Sequence, residues 1–369
     1  MYPSCLNITD SHELSICEAA KQQNETEPEP IFDENLERIV SLTVFVLFGI
    51  IFVVGLIGNA LVVIVVAFNP LMRSTTNILI FNLAISDLMF VIMCIPFTAS
   101  DYILTNWLFG DFMCKCVQYM IVVTCLGSVY TLVLMSLDRF LAVVHPISSM
   151  SIRTEKNALI AIILAWFCIF SAAIPTAISH GEVEYVHKGE NHTACLFLSE
   201  QGYHHDYFQI SFFLSSYVIP LSLISFLYVG MLARLWSSNA PGGGKGSKES
   251  RKGKKRVTRL VVFVVVAFLI CWAPIQIVLL LKSLNLYKTN AITVSIQIIS
   301  HVLAYLNSCL NFILYAFLSE NFRKAFRKVM WCGHQRQSSS HYVLTAPDTK
   351  STRTRTANTG NGAASVDIL

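Results

Sequence analysis

The stretch IVSLTVFVLFGIIFVVGLIGNALVVIVVAF, residues Ile39–Phe68, runs for 30 residues without a charged side chain. About 20 apolar residues are enough for a helix to cross the hydrocarbon core of a membrane. This stretch therefore predicts a transmembrane helix. The preceding residues 1–38 are polar and acidic and do not resemble a signal peptide, so we expect this first helix to act as its own insertion signal.

Six more long apolar runs follow, at Asn77–Leu104, Phe112–Val144, Asn157–Ser179, Phe208–Leu235, Val257–Leu284 and Ala291–Phe317. Hydrophobic residues make up 54% of the chain and charged residues only 14%, whereas soluble domains carry about a quarter charged residues. The sequence therefore predicts an all-α membrane protein whose residues 39–317 form a seven-transmembrane helix bundle.

Three further segments flank this predicted bundle. Residues 1–38 have the composition of an extracellular glycosylated tail without fixed structure. Residues 318–332 alternate apolar and basic side chains at helical spacing and predict a short amphipathic cytoplasmic helix on the membrane surface. Cys332 at its end is a candidate for palmitoylation, with an unmodified thiol as the alternative. Residues 333–369 predict a disordered cytoplasmic tail.

The distribution of basic residues predicts the orientation of the chain. Only 6 of the 27 Lys and Arg residues fall on the side of the N-terminal tail, and cytoplasmic loops carry the basic excess in membrane proteins. Three N-glycosylation sequons, at Asn7, Asn24 and Asn191, fall on the tail side as well. We therefore expect a multi-pass protein of the plasma membrane with its N-terminus extracellular.

Asp87 lies within the second run, where an acid is costly unless it is neutralised or has a function. No Lys or Arg lies at the same depth. Asp87 is either protonated, part of a buried hydrogen-bonded network, or a ligand of a sodium ion together with Ser128, Asn307 and Asn311. The sequence leaves these alternatives open, and apart from such a modulating ion it predicts no cofactor.

Two motifs indicate a bundle that changes conformation. Arg139 follows Asp138 at the end of the third run, where it either pairs with that carboxylate until a partner protein binds, or extends toward the lipid head groups. Pro274 removes a backbone donor in the middle of the sixth run and predicts a kink, with Trp272 facing the core just before it. Taken together the two motifs favour the functional interpretation.

A set of motifs now identifies the chain as resembling the rhodopsin-like G-protein-coupled receptors over about residues 40–332. In order and spacing these are Gly58-Asn59, Asn82-Leu-Ala-Ile-Ser-Asp87, Trp107, Cys114, Asp138-Arg-Phe140, Trp166, Cys195, Pro220 with Tyr228, Cys271-Trp-Ala-Pro274 and Asn311 to Tyr315. The resemblance implies a Cys114–Cys195 disulfide, and a heterotrimeric G protein and arrestin as cytoplasmic partners. It also implies an activation switch built from Asp138, Arg139, Tyr228, Trp272, Pro274 and Tyr315.

Within that family, residues 68–77, 117–124 and 128–146 resemble the allatostatin-A receptors of arthropods, which are similar to vertebrate galanin receptors. This resemblance implies a short peptide ligand, and allatostatin-A peptides end in Phe-Gly-Leu-amide. The alternative is a receptor for another neuropeptide, such as a kisspeptin-like or somatostatin-like one. The pattern departs from the family at Phe312, where most members carry Pro, and the seventh helix should be straighter as a result.

The predicted binding site is neutral. Ile121 stands where amine, somatostatin and opioid receptors place an Asp, so a buried ligand ammonium would lack a partner. No Lys or Arg lies deep in the sixth and seventh runs to bind a carboxylate. We therefore expect an amidated, apolar peptide C-terminus against a lining of Gln118, Ile121, Trp272, Ile275, Gln276, Leu279, Gln297, His301 and Tyr305.

Other classes of seven-helix or membrane protein fit less well. A retinal protein needs a Lys in the seventh run for its Schiff base, and Ala291–Phe317 contains none. A transporter would show inverted repeats with broken helices at matching places, and these are absent. No metal-spaced cluster lies within a run, so we expect neither a metal site nor an enzyme. Membrane lipid is an expected partner, and nucleic acid is not.

Overall fold

A computed structural model describes residues 34–69, 72, 74–104, 106–187, 189–198, 204–237, 248–288, 290–318, 322–323 and 326. Several predicted features lie outside the described residues. These are the sequons at Asn7 and Asn24, the lipidation site Cys332, most of the predicted surface helix and the whole C-terminal tail.

The helices follow the apolar runs. They are α1 Glu34–Phe68, α2 Thr75–Met93, α3 Ile95–Asp101, α4 Gly110–Val144, α5 Glu155–Ser179, α6 His205–Phe213, α7 Ile219–Ser237, α8 Lys248–Ser283 and α9 Ala291–Leu318. Within the described part of the chain they contain seven segments long and apolar enough to cross a membrane, which confirms the predicted fold class. We call these the first to seventh spans: Arg38–Phe68, Thr75–Asp101, Gly110–Val144, Glu155–Ser179, His205–Arg234, Val262–Ser283 and Ala291–Leu314.

The bundle has an apolar interior and an equally apolar exterior. Phe48, Leu83 and Phe268 are fully buried in its core, whereas Ile163 and Phe226 are 66% and 74% exposed. A soluble protein rarely presents such large side chains over a whole surface. The exterior is therefore solvated by lipid, as expected from the low content of charged residues.

A β hairpin caps one end of the bundle. Strands β1 His180–His187 and β2 Glu190–Phe197 pair antiparallel, from His180 opposite Phe197 to His187 opposite Glu190. The turn contains Gly189 with φ 82°, a conformation that glycine adopts without strain. The sequence analysis did not predict this hairpin. The end of the bundle that carries the hairpin is called the hairpin end, and the opposite end is called the Arg139 end.

Two spans contain an interruption. The second span is broken at Cys94, just before Pro96. The fifth span contains a π-helical turn at Leu214–Val218, immediately before Pro220. This turn is wider than a regular turn and holds one extra residue. Pro274 lies inside α8, at the predicted position in the sixth span.

Candidate functional site

The hairpin is fastened to the third span by a disulfide. Cys114 and Cys195 are bonded with their Cα atoms 5.5 Å apart, which confirms the pairing that the family resemblance implied. Trp107 adds two backbone contacts, since its N–H donates to the Thr193 carbonyl at 2.9 Å and its own carbonyl accepts from the Thr193 hydroxyl at 2.9 Å. The hairpin is therefore held over the mouth of the bundle rather than free to leave it.

Most of the predicted ligand-binding residues lie beneath the hairpin. Trp272, Ile275 and Tyr305 are buried in the main apolar core, with Ile121 and Leu279 packed against it. The Gln118 amide nitrogen lies 3.8 Å from the disulfide sulfur of Cys195, and Gln297 is partly buried one turn before His301. The third, sixth and seventh spans thus bring these residues to the same end of the bundle.

His301 and Tyr305 are engaged with the second span. The Tyr102 hydroxyl lies 2.9 Å from His301 Nδ1, and the Tyr305 hydroxyl donates to the Thr98 hydroxyl at 3.1 Å. Tyr305 also stacks on Phe48 at 5.0 Å between ring centroids. Sequence reasoning missed Tyr102 and Thr98, because the contact depends on how the second and seventh spans pack.

In the half of the fifth and sixth spans toward the hairpin end, three buried polar atoms have no hydrogen-bond partner within the described structure. They are Nε2 of Gln209, Oε1 of Gln276 and Nε1 of Trp272. The other side of the Gln276 amide is engaged, since its Nε2 donates to the Ser216 hydroxyl at 2.9 Å. Gln209, only 6% exposed, lies two turns before Ser216. Sequence reasoning missed it, although an isolated Gln inside an apolar span was a usable signal.

A cavity of about 690 Å³ lies elsewhere, between the third, fourth and fifth spans. It includes none of the nine residues predicted to bind the ligand. Its lining begins near Thr176 and His204 at the hairpin end and continues to Tyr130 and Ser215. This cavity is called the lipid-facing crevice.

Asp87 is the centre of a polar cluster in the middle of the bundle. The Ser128 hydroxyl donates to one carboxylate oxygen at 3.4 Å, and the Asn311 amide donates to the other at 2.7 Å. Oδ1 of Asn307, one turn before Asn311, is buried without a partner in the described structure. The predicted residues therefore supply a hydrogen-bonded network that still has an unused oxygen, which suits either a network or a cation site.

At the Arg139 end, Asp138 binds two arginines. It forms ion pairs with Arg139 and with Arg153, the latter at 2.8 Å, and it accepts from the Thr76 hydroxyl at 2.9 Å. Arg139 is only 8% exposed, so it pairs within the bundle instead of extending toward the head groups. The Tyr228 hydroxyl lies near Arg139. Sequence reasoning expected Asp138 alone to hold Arg139, and it missed the contribution of Arg153.

A family model matches the sequence of most of the chain. Residues 58–315 match the model described as "7 transmembrane receptor (rhodopsin family)". The chain belongs to the rhodopsin family of seven-transmembrane receptors. It is therefore a receptor of the plasma membrane and not an enzyme.

Comparison with individual proteins shows which members of the rhodopsin family this chain resembles. The chain is 61% identical over 336 residues to the allatostatin-A receptor of Bombyx mori, covering 91% of each chain. It is 39% identical to the galanin-like G-protein coupled receptor npr-9 of Caenorhabditis elegans, over 81% of this chain and 76% of the relative. It is 38% identical to human galanin receptor type 1, over 89% and 90% of the two chains.

One departure of this rhodopsin-family receptor from the family pattern has a direct structural partner. The Phe312 ring, which replaces the usual Pro of the seventh span, packs on Gly58 in the first span. A Cβ atom added to Gly58 would lie 2.2 Å from that ring. The Phe is therefore accommodated because the facing residue has no side chain. The side chain of Tyr315, three residues further on, lies outside the described residues.

Proposed function

We propose that this receptor binds an amidated peptide of the allatostatin-A type and promotes nucleotide exchange on a heterotrimeric G protein. The hairpin end is extracellular in this proposal, because it carries the sequon at Asn191 and only 6 of the 27 basic residues. The observation that carries the ligand assignment is the set of unpartnered neutral groups on Gln209, Trp272 and Gln276. The Bombyx mori relative supports it independently.

A terminal carboxamide complements these three groups. Its carbonyl can accept from the Gln209 amide or the Trp272 indole, and its NH₂ can donate to Oε1 of Gln276. A free carboxylate has no donor for Gln276, and it would be buried without a counter-charge. Lys282 lies at the end of the sixth span, with its ammonium group 5.8 Å from the Tyr287 ring centroid.

The charge of the extracellular side suits the remaining part of such a peptide. Sixteen Asp and Glu residues lie on that side, against six Lys and Arg. A negative surface attracts a basic ligand segment and speeds its association, most strongly at low salt. The peptide would then enter with its apolar amidated end toward Trp272.

The test compares a peptide ending in Phe-Gly-Leu-amide with its free-acid twin on cells that express the receptor. We expect the amide to activate the G protein at a concentration about 100-fold lower, since burial of an unpaired carboxylate costs several kcal/mol. Gln276→Leu should reduce this preference, and the exposed change Ile277→Leu on the same helix should not. Equal potency would contradict the carboxamide proposal, and a response only to a small amine or another peptide class would contradict the ligand assignment.

Further partners are proposed on the same basis. Arrestin would bind the Arg139 end after activation, and a sodium ion would occupy the Asp87 cluster in the resting state. Asn191, which is exposed on β2, would carry a glycan, and Cys332 would carry a palmitoyl chain that holds the C-terminal segment at the membrane.

A further inference from the structure

The lipid-facing crevice is a second candidate binding site, distinct from the proposed peptide site. Its volume of about 690 Å³ lies within the range of about 300–1,000 Å³ that small-molecule sites have. The third, fourth and fifth spans form its walls. A molecule in it would therefore reach the receptor through the lipid and not through the mouth under the hairpin.

The crevice is about as deep as one leaflet. Along the fourth span its lining runs from Ala165 to Thr176, and a rise of eleven residues along an α-helix measures about 16 Å. The hydrocarbon core of a bilayer is about 30 Å thick. The crevice thus opens near the hairpin end and closes near the middle of the membrane.

Small side chains on the fourth span create the space. Ala165, Cys168 and Ala172 recur at helical spacing along its wall, and Cys168 is exposed with a free thiol. Larger neighbours on the same span, such as Ile163 and Phe167, point away from it and are 66% and 71% exposed. A rigid flat body can approach the helix backbone only along the small residues.

The described lining carries no charged side chain, and polar side chains lie at both of its ends. None of its described residues is Asp, Glu, Lys or Arg. His204 and Tyr207 lie at the mouth with ring centroids 5.6 Å apart, beside Thr176. The phosphate of a phospholipid head group would have no cationic side chain to pair with here. A single hydroxyl group could instead form hydrogen bonds with the side chains at the mouth.

We infer that the lipid-facing crevice binds a membrane sterol, with its hydroxyl between His204 and Tyr207 and its ring system along Cys168 and Ala172. A sterol combines a rigid apolar body of about one leaflet in length with a single uncharged polar group, and both features match this lining.

The floor of the crevice links this site to the fifth span. The Tyr130 hydroxyl donates to the Ser215 carbonyl at 3.2 Å, within the π turn. The next residue, Ser216, accepts from Gln276. A sterol that packs on this floor stabilises one conformation of the turn, and it thereby alters peptide affinity. This coupling rests on the proposed peptide site, but the binding of the sterol does not.

The experiment uses purified full-length receptor in nanodiscs that contain a photoreactive sterol. Cross-linked peptides are mapped after irradiation, with and without excess unlabelled sterol. We expect saturable labelling within the spans that line the crevice. Ala172→Phe should reduce it about tenfold, because a bulky side chain in a fitted space excludes the ligand. The matched control Ile163→Phe, on the lipid-facing side of the same span, should leave it unchanged.

Thermal stability provides the second measurement, since a ligand that binds the folded state raises the melting temperature. Sterol should raise it in the wild type and in Ile163→Phe, but much less in Ala172→Phe. Labelling of Ala172→Phe at the wild-type level would overturn the inference, as would cross-links outside these three spans. Displacement of the probe by an anionic phospholipid as well as by sterol would overturn the assignment to a sterol.

Discussion

Asp138 carries more interactions than any sequence motif around it indicates. It binds Arg139, Arg153 and Thr76 together, and removal of one partner from a buried ion pair typically costs about 3–5 kcal/mol. Asp138→Asn should therefore release Arg139 toward a cytoplasmic partner and raise ligand-independent G-protein activation. The measurement is basal nucleotide exchange at matched surface expression.

Arg153→Ala is the matched control for that change. It removes one ion pair but leaves Asp138 charged and bonded to Arg139. We therefore expect a smaller rise in basal activity than in Asp138→Asn. If the two variants are equally active, or if Asp138→Asn behaves as the wild type does, Asp138 does not restrain Arg139.

A second prediction concerns the proposed sodium ion in the Asp87 cluster. An ion that binds the resting state more tightly must oppose the active one. Agonist affinity should fall about tenfold when sodium replaces a large organic cation at equal ionic strength, which corresponds to about 1.4 kcal/mol of coupling. Radioligand binding in the two salts measures it. Asp87→Asn should abolish the difference, and an unchanged difference in that variant would argue against sodium at this site.

A residue of the site could be predicted from sequence only where its own type, in its own stretch of the chain, was unusual enough to indicate a function. Asp87 was detectable because an acid in an apolar span demands an explanation, and its partners Ser128 and Asn311 followed from the same logic. Arg153 and Gln209 were not identified. Arg153 reaches Asp138 from the loop after the third span, and no spacing rule predicts where such a loop turns.

At the level of helices, Phe312 and Gly58 form a complementary pair between the first and seventh spans. Gly58→Ala should destabilise the receptor by about 1–3 kcal/mol, because its Cβ would overlap the Phe312 ring. The measurement is the melting temperature of detergent-solubilised receptor.

The double variant Gly58→Ala with Phe312→Pro isolates this contact, since Pro is smaller than Phe. It should recover much of the lost stability. The single Phe312→Pro should change signalling efficacy more than peptide affinity, because Pro frees a backbone carbonyl and permits a bend. If Gly58→Ala is as stable as the wild type, the first and seventh spans can move apart at Gly58 without cost, and this prediction is wrong.

The spans were predictable and the irregular elements were not. Each span is defined by its own apolar run, so α1 and α4 lie close to the predicted boundaries. The hairpin depends on pairing between two short strands and on a disulfide to a distant helix. The π turn depends on contacts such as that from Tyr130, which no local pattern encodes.

Across the whole molecule, His180 lies where the fourth span, the hairpin and the fifth span meet. Its ring packs on Phe197 and Phe208. Burial, with a smaller contribution from His205, lowers the pKa of His180, although a hydrogen bond to the Thr176 carbonyl opposes this. The folded receptor therefore binds a proton at His180 less readily than the unfolded chain.

This difference in proton binding makes the stability of the receptor depend on pH. Above the ordinary histidine value of about 6.5, His180 is neutral in both states and costs no stability. As the pH falls below that value, the unfolded chain takes up the proton first and stability is lost. The melting temperature should fall between pH 7.5 and about 5.5, and by less in His180→Gln. An identical slope in both proteins would assign the acid sensitivity to other groups.

The π turn at Leu214–Val218 makes the length of the fifth span as important as its composition. A wide turn holds one residue more than a regular turn, so the helix before it and the helix after it face as they would in an uninterrupted α-helix that is one residue shorter. If the turn became regular α-helix without losing a residue, every residue before it would rotate by about 100° around the helix axis relative to those after it. Gln209 would then turn out of the interior, and the face of α6 that now borders lipid would turn elsewhere. For this receptor, an in-frame loss of one residue at the turn should therefore be better tolerated than the same loss in a regular part of the fifth span.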